Sequence, residues 1–287
     1  MKLNSSLSVL FIALFFFSSC SSSSGKFGGM TLYTVRDDMK KDPKGVLKTV
    51  SDIGYKNIEA TDYANRKFYG MEPVEFKNYL KSLGLNPLST HQGGATYDNI
   101  DNTIADVKAA GFKYLVIPVP PMGHFKYNAA TKTLGMDPDL DFVVNFLNTA
   151  GKKCQAAGLQ LLYHNHDFEF KKDANGIVPI EYFLTKCDPQ YVNFQMDLYW
   201  VTKAGADPIA YFEKYPGRFK IWHVKDMDKE GRFAPVGLGT IDFAKILAKK
   251  DVSGMKYYIV EQDNTFDLKP LEAIKISREG LKKFGFH

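Results

Sequence analysis

Cysteine is scarce in this chain, with three in 287 residues, at positions 20, 154 and 187. None stands in a C-x-x-C pair, which excludes a zinc ribbon and a thioredoxin-type redox motif. Cys154 falls in a predicted helix and Cys187 just after one, and both read as structural thiols. No G-x-G-x-x-G follows the first predicted strand, where Thr34-Val35-Arg36-Asp37-Asp38 stands instead, so the main dinucleotide signature is missing. Basic residues are not gathered into a patch: 37 Lys and Arg against 32 Asp and Glu give a net charge of +5, spread along the chain. That distribution argues against a nucleic-acid footprint and suits a solvated surface.

What is present first is a leader. Lys2 is followed by the uncharged run Val9 to Phe17 and then by Ser18-Ser19-Cys20. A positive start, a short apolar core and small residues make a secretory signal, too short to span a bilayer. The small-small-Cys ending resembles a bacterial lipobox, with Phe17 in place of the usual Leu, Val or Ile. The expectation is a lipoprotein signal over residues 1–19 and lipidation of Cys20. A Ser-rich tether over 20–29 and a catalytic domain over 30–287 follow. The membrane is then met only through the lipid, and the protein is exported.

From Met30 onward short β-rich runs alternate with amphipathic helical runs. Predicted strands are Thr31–Val35, Asn57–Ala60, Pro87–His91, Tyr114–Pro118, Gln160–His164, Val192–Asp197, Lys220–Val224 and Tyr257–Glu261. Helical stretches lie between them, and Gly54, Gly84, Gly111 and Gly158 mark helix ends. Strict β/α alternation implies a parallel sheet with right-handed crossovers. Eight repeats in about 260 residues favour a single closed (β/α)8 TIM barrel over an open doubly wound sheet.

In such a barrel the chemistry sits at the C-terminal ends of the strands. Read in order, those ends supply Glu59, His91, His164 with His166, Asp197, His223 with Lys225 and Asp226, and Glu261. Strand side chains two apart share a face, so His164 pairs with His166 and His223 with Lys225. An ionisable group inside a barrel costs several kcal/mol unless paired or metal-bound. Repetition at separate strand ends therefore points to one site, with Asp197, His223 and Glu261 meeting at a divalent metal. Mixed imidazole and carboxylate ligands suit zinc, manganese, iron or cobalt, and disfavour calcium.

The segments Leu32–Asp37, Tyr163–Phe170, Met196–Val201, Trp222–Asp226 and Val260–Asp263 resemble the xylose isomerase-like, or AP endonuclease family 2, superfamily, and most closely its sugar phosphate isomerase/epimerase branch. The resemblance runs from about Met30 to the end. It implies a TIM barrel and a divalent metal (Mn, Zn, Co, Fe or Mg) held from strands five to eight, at His164, Asp197, His223 and Glu261. Related ketose epimerases carry a glutamate where His164 stands, which puts their symmetric two-glutamate mechanism in doubt here. Glu261, His166, Glu169 and Lys225 are the candidates for moving protons. Glu59, His91, Asp226 and Trp200 are the candidates for touching substrate, and the loop Phe233–Gly239 resembles a ligand-approaching loop of the family.

The function expected is proton abstraction next to the carbonyl of a non-phosphorylated sugar, completed as isomerisation or epimerisation. A lyase acting on 3-keto-glycosides shares the first step, and export together with the missing glutamate favours it. A sugar-binding lipoprotein without catalysis is the alternative of another class, and the three metal-type residues speak against it. The expected partner is a small carbohydrate, with no nucleic acid.

Overall fold

The computed structural model describes residues 28–286 apart from 122, 131–132, 137–138 and 174, so the Cys20 expectation lies outside the described residues. Eight parallel strands close into a barrel: β1 Gly28–Thr31, β2 Asn57–Ala60, β3 Asn86–His91, β4 Tyr114–Ile117, β5 Gln160–His164, β6 Val192–Asp197, β7 Phe219–Val224 and β8 Tyr257–Val260. Each pairs with its sequence neighbours and β1 closes on β8, with Met30 beside Val260 and Thr31 beside Glu59.

Seven strands fall within a residue or so of the sequence reading. The first does not. It starts inside the stretch read as tether and ends at Thr31, after which the chain turns. Two glycines begin it because neighbours crowd them: a Cβ on Gly29 would lie 2.6 Å from the Asn57 carbonyl oxygen. Leu32 and Val35 look like strand residues, yet they are buried in the turn that follows.

Helices pack outside, including Pro43–Ile53, Pro73–Ser82, Ile100–Ala109, Leu140–Ala157, Pro179–Lys186 and Pro270–Lys283. Proline at the first helical turn starts four of these six, because its missing N–H would be unpaired there anyway. Leu140–Ala157 stops at Gly158, whose φ of +83° an L side chain rarely adopts. No helix among the described residues is long and apolar enough to cross a membrane. Cys154 and Cys187 are buried free thiols, in keeping with a structural role.

The strand period of two sorts the side chains. One set packs between strands and helices as the main core. The other points into the barrel, where Leu88, Tyr114, Val116, Leu162, Ile221 and Ile259 form a separate apolar plug. Two residues further along β5, β7 and β8 the inward set becomes His164, His223 and Glu261. The plug is the floor of the site. Three antiparallel hairpins follow β2, β4 and β7, at Tyr63–Phe68, Phe125–Met136 and Asp226–Ala234, and so belong to the βα loops around the mouth.

Candidate active site

Strand register brings the polar layer together. Gln195 lies beside His164, Asp197 beside His223, and Glu59 beside Ser89. One donor atom each from His164, Asp197, His223 and Glu261 lies within 4.8 Å of all the others, and all four residues are buried. Asp197 has its roles divided between its two oxygens. It caps the helix Leu198–Lys203 by accepting from Trp200 N at 3.0 Å through Oδ1, which fixes the carboxylate and leaves Oδ2 facing the site.

That Oδ2 has no hydrogen-bond donor aligned on it. It lies 3.9 Å from His164 Nε2, 4.0 Å from His223 Nδ1 and 3.0 Å from Lys225 Nζ. Lys225 Nζ also touches Glu261 Oε2 at 2.7 Å and Asp263 Oδ1 at 2.8 Å. Burial alone would lower the lysine pKa, but Asp197, Asp263 and Glu261 hold it well above the usual ammonium range. Burial raises the Glu261 carboxyl, yet Lys225 and then His223 hold it well below the usual range. Asp263 is pushed up to about 6 by burial, against the pull of Lys225.

Burial and neighbouring charge together shift His223 and the pair His164 and His166 in opposite directions. His223 is caught between carboxylates, with Nε2 2.7 Å from Glu59 Oε1 and Nδ1 2.8 Å from Glu261 Oε2. Burial opposes its charge, but Glu59 and Glu261 raise its pKa to about 10. His164 is driven well below its ordinary value by burial and by His223 and His166. Burial and then the Lys225 ammonium push His166 down to about 3. Both are neutral imidazoles, and His164 Nδ1 lies 2.9 Å from the side-chain oxygen of Gln195. That contact makes Nδ1 the N–H donor and frees Nε2 as a lone pair toward Asp197.

A divalent cation fits this set. Two carboxylates and two imidazoles converge, one buried carboxylate oxygen lacks a hydrogen bond, and a positive charge already sits against the same two oxygens. Second contacts of the expected kind are also present, since Glu59 backs His223 and Gln195 backs His164.

A cavity of about 260 Å³ opens above these residues, walled by His91, His164, His166, Lys225, Glu261 and Asp263 among others. Four residues expected to act directly are placed away from that wall. Glu59 is fully buried beneath it, held by Ser89 Oγ at 2.8 Å, Gln195 Nε2 at 2.6 Å and the rings of His91 and His223. Asp226 accepts from the backbone N–H groups of Met227, Gly237, Gly239 and Ile241, so it shapes the loop after β7 and is not among the residues lining the cavity. Glu169 is fully buried, accepting from Tyr163 Oη and His166 N, both at 2.8 Å. It holds the His166 turn through these contacts and does not line the cavity. Trp200 stands behind the wall, its ring 5.4 Å from Lys225 Nζ and 5.6 Å from the His166 ring.

Two residues of weight were missed. Gln195 precedes Asp197 by two on β6, and Asp263 follows Glu261 by two after β8. The same period-two rule that paired His164 with His166 could have found both.

Residues 47–284 match the xylose isomerase-like TIM barrel family, and the chain belongs to that family. It is similar to the inosose dehydratase of Lacticaseibacillus casei, 24% identical over 262 residues that cover 79% of this chain and 86% of that one. In structure it resembles a sugar phosphate isomerase/epimerase from Parabacteroides distasonis, with a TM-score of 0.76 and 24% identity over 93% of this chain and 96% of that one. It also resembles the IOLI protein with a bound zinc atom, with a TM-score of 0.68 and 15% identity over 90% of this chain and 97% of that one. The last two likenesses establish the fold.

Proposed function

We propose that the protein is a cation-dependent carbohydrate lyase. It removes the proton next to the carbonyl of a non-phosphorylated keto-sugar or keto-glycoside, and expels the oxygen substituent from the neighbouring β-carbon. The observation that carries this reading is the asymmetry of the cavity. Glu261 and Asp263 stand together around Lys225, while the rest of the wall offers imidazoles (His91, His164, His166) and, among the described residues, no further carboxylate. An epimerase that takes a proton from one face and returns it to the other calls for two comparable groups across the substrate. An elimination is served by one base and a separate hydrogen-bond donor for the departing oxygen.

A divalent cation held by His164, Asp197, His223 and Glu261 would polarise the carbonyl and balance the charge growing on its oxygen. Asp263 lines the cavity and lies outside the four-residue ligand set, so its carboxylate is left to act as base while Glu261 serves as ligand. Asp263 takes the α-proton, and the C–H electron pair becomes the new C=C bond conjugated to the carbonyl. His166 donates a hydrogen bond to the leaving oxygen, and Asp263 gives that oxygen the proton. Water or an alcohol departs. Lys225 stays charged and fixes the two carboxylates.

The inosose dehydratase relative supports a C–O lyase. Isomerisation or epimerisation is the second reading, favoured by the name of the Parabacteroides distasonis neighbour and sharing the first step. Product analysis by NMR on metal-loaded protein separates them: an unsaturated ketone plus one equivalent of water or alcohol is expected, and an intact stereoisomer would overturn the lyase. Replacing Asp263 with Asn should cost roughly 10²–10⁴-fold in rate with bound metal retained.

We further propose that the protein is exported and held at a membrane by lipid on Cys20, which the leader and the Ser-Ser-Cys ending support.

A further inference from the structure

Beside the reaction cavity lies a second one of about 320 Å³, and the two share Thr61, His91 and Gly93 as a common wall. The first alone is smaller than the roughly 300–1,000 Å³ of ordinary ligand pockets, whereas the two joined fall inside that range. The residues found only in the second are Tyr63, Gln92, Gly94, Asn99 and Thr103: hydroxyls, amides and exposed glycine backbone, with no charged side chain.

We infer that this is a second sugar subsite, and that the substrate is a two-ring keto-glycoside whose non-reacting ring lies there. The inference rests on the carbohydrate reading above and adds the size and charge of the substrate. A substituent on the reacting ring would pass over the shared wall between Thr61 and His91. Tyr63, Gln92, Asn99 and Thr103 already donate to Asp106, Thr90, Gly94 and Asn99, so their oxygens serve as acceptors for the hydroxyls of a hydroxyl-rich ligand. A phosphate would need cations, and among the described residues no lysine or arginine lines the second cavity, while the shared His91 is turned onto Glu59 at 3.1 Å. The lysine of the first cavity is committed to Asp197, Glu261 and Asp263. Charges carried by the bounding segment are negative, with Asp98 in the loop and Asp101 in the first turn of Ile100–Ala109. Arg66, on the hairpin that holds Tyr63, is paired to both oxygens of Asp106 at 2.8 and 2.9 Å. The site is therefore built for a neutral ring.

Gly94 allows the test. It lines only the second cavity, its φ is not in the left-handed region, and a Cβ there would meet nothing within 4 Å. Gly94→Leu and Gly94→Phe should fill the subsite without touching the reacting groups. Binding of 3-ketoglucose, 3-ketosucrose and glucose 6-phosphate to the full-length protein would be measured by calorimetry and saturation-transfer NMR, with melting curves checking the fold of each variant. The wild type should bind 3-ketosucrose at least about tenfold more tightly than 3-ketoglucose, about 1.4 kcal/mol. Both substitutions should erase that difference while leaving 3-ketoglucose within about twofold. Equal binding of one- and two-ring sugars by the wild type would overturn the subsite and leave the carbohydrate reading standing, whereas a preference for the phosphate would overturn both the subsite and the non-phosphorylated substrate. Should no keto-sugar bind at all, the carbohydrate reading falls and the subsite with it. The wild-type comparison decides even if both variants misfold.

Discussion

Lys225 Nζ lies 2.7 Å from Glu261 Oε2, and both side chains are shut away from solvent at the mouth of the barrel. The ammonium reaches Asp197 and Asp263 as well, so a single positive charge faces three carboxylates. His223 adds a second charge from below. The cluster is partly neutralised by cations supplied by the chain itself, and Lys225 draws on the same oxygens that a divalent ion would use.

Lys225→Met should therefore destabilise the metal-free protein strongly, by about 3–5 kcal/mol as for other buried pairs broken on one side. Added divalent cation should restore much of the loss, because it neutralises the orphaned carboxylates. Melting temperatures of the variant with and without Mn²⁺ or Zn²⁺ check this. A variant equally unstable in both would contradict the shared-oxygen account.

Asp197→Asn and His223→Ala each remove one ligand from a set of four. Elemental analysis after dialysis should show large losses of bound metal in both. Circular dichroism should show the barrel retained, since neither residue belongs to the apolar plug or the outer core. Full occupancy in both variants would dismiss the site.

Glu169 supplies a pH signature. Burial pushes its carboxyl up to about 8, so the native state keeps the proton that the unfolded chain releases near the ordinary value of 4.5. The stabilisation is fully present below 4.5 and is lost as pH rises through 8. Glu169→Gln keeps the contacts to Tyr163 and His166 N without an ionisable proton. Urea melts from pH 5 to 9 should show wild type losing stability relative to the variant as pH rises. A constant difference across that range would contradict the shifted carboxyl.

Cys20→Ala should abolish incorporation of radiolabelled palmitate and release the protein from the membrane fraction. Persistent labelling in the variant would defeat the anchoring proposal.

The barrel was legible because most strands are short β-rich runs with a polar residue at or just past the end, and glycine closes the helix before β2, β3, β4 and β5. Gly54, Gly84, Gly111 and Gly158 do adopt positive φ. The first strand was misplaced because Gly28 and Gly29 carry no strand signal of their own: their place is dictated by Tyr258 and Asn57, far along the chain. In the site, the period of two revealed which residues face inward but not how deep each one sits. Depth follows from the stagger between strands, which is why Glu59 lies under His223 rather than beside the substrate. The loop contacts of Asp226 were hidden for a related reason: three of its four backbone donors come from Gly237, Gly239 and Ile241, and no local pattern announces them.

The central claim is that the α-proton is taken by a protein carboxylate and that a C–O bond then breaks. Its most direct test is a 3-keto-glycoside carrying deuterium at the α-carbon that loses its proton, turned over in ordinary water by the metal-loaded protein and followed by NMR. The account predicts slower turnover of the labelled substrate, an unsaturated ketone without deuterium at that carbon, and one equivalent of released alcohol. Deuterium retained in the product, whether at the same carbon or shifted to its neighbour, would contradict proton abstraction, and deuterium lost with the C–O bond intact would replace the lyase with an isomerase or epimerase.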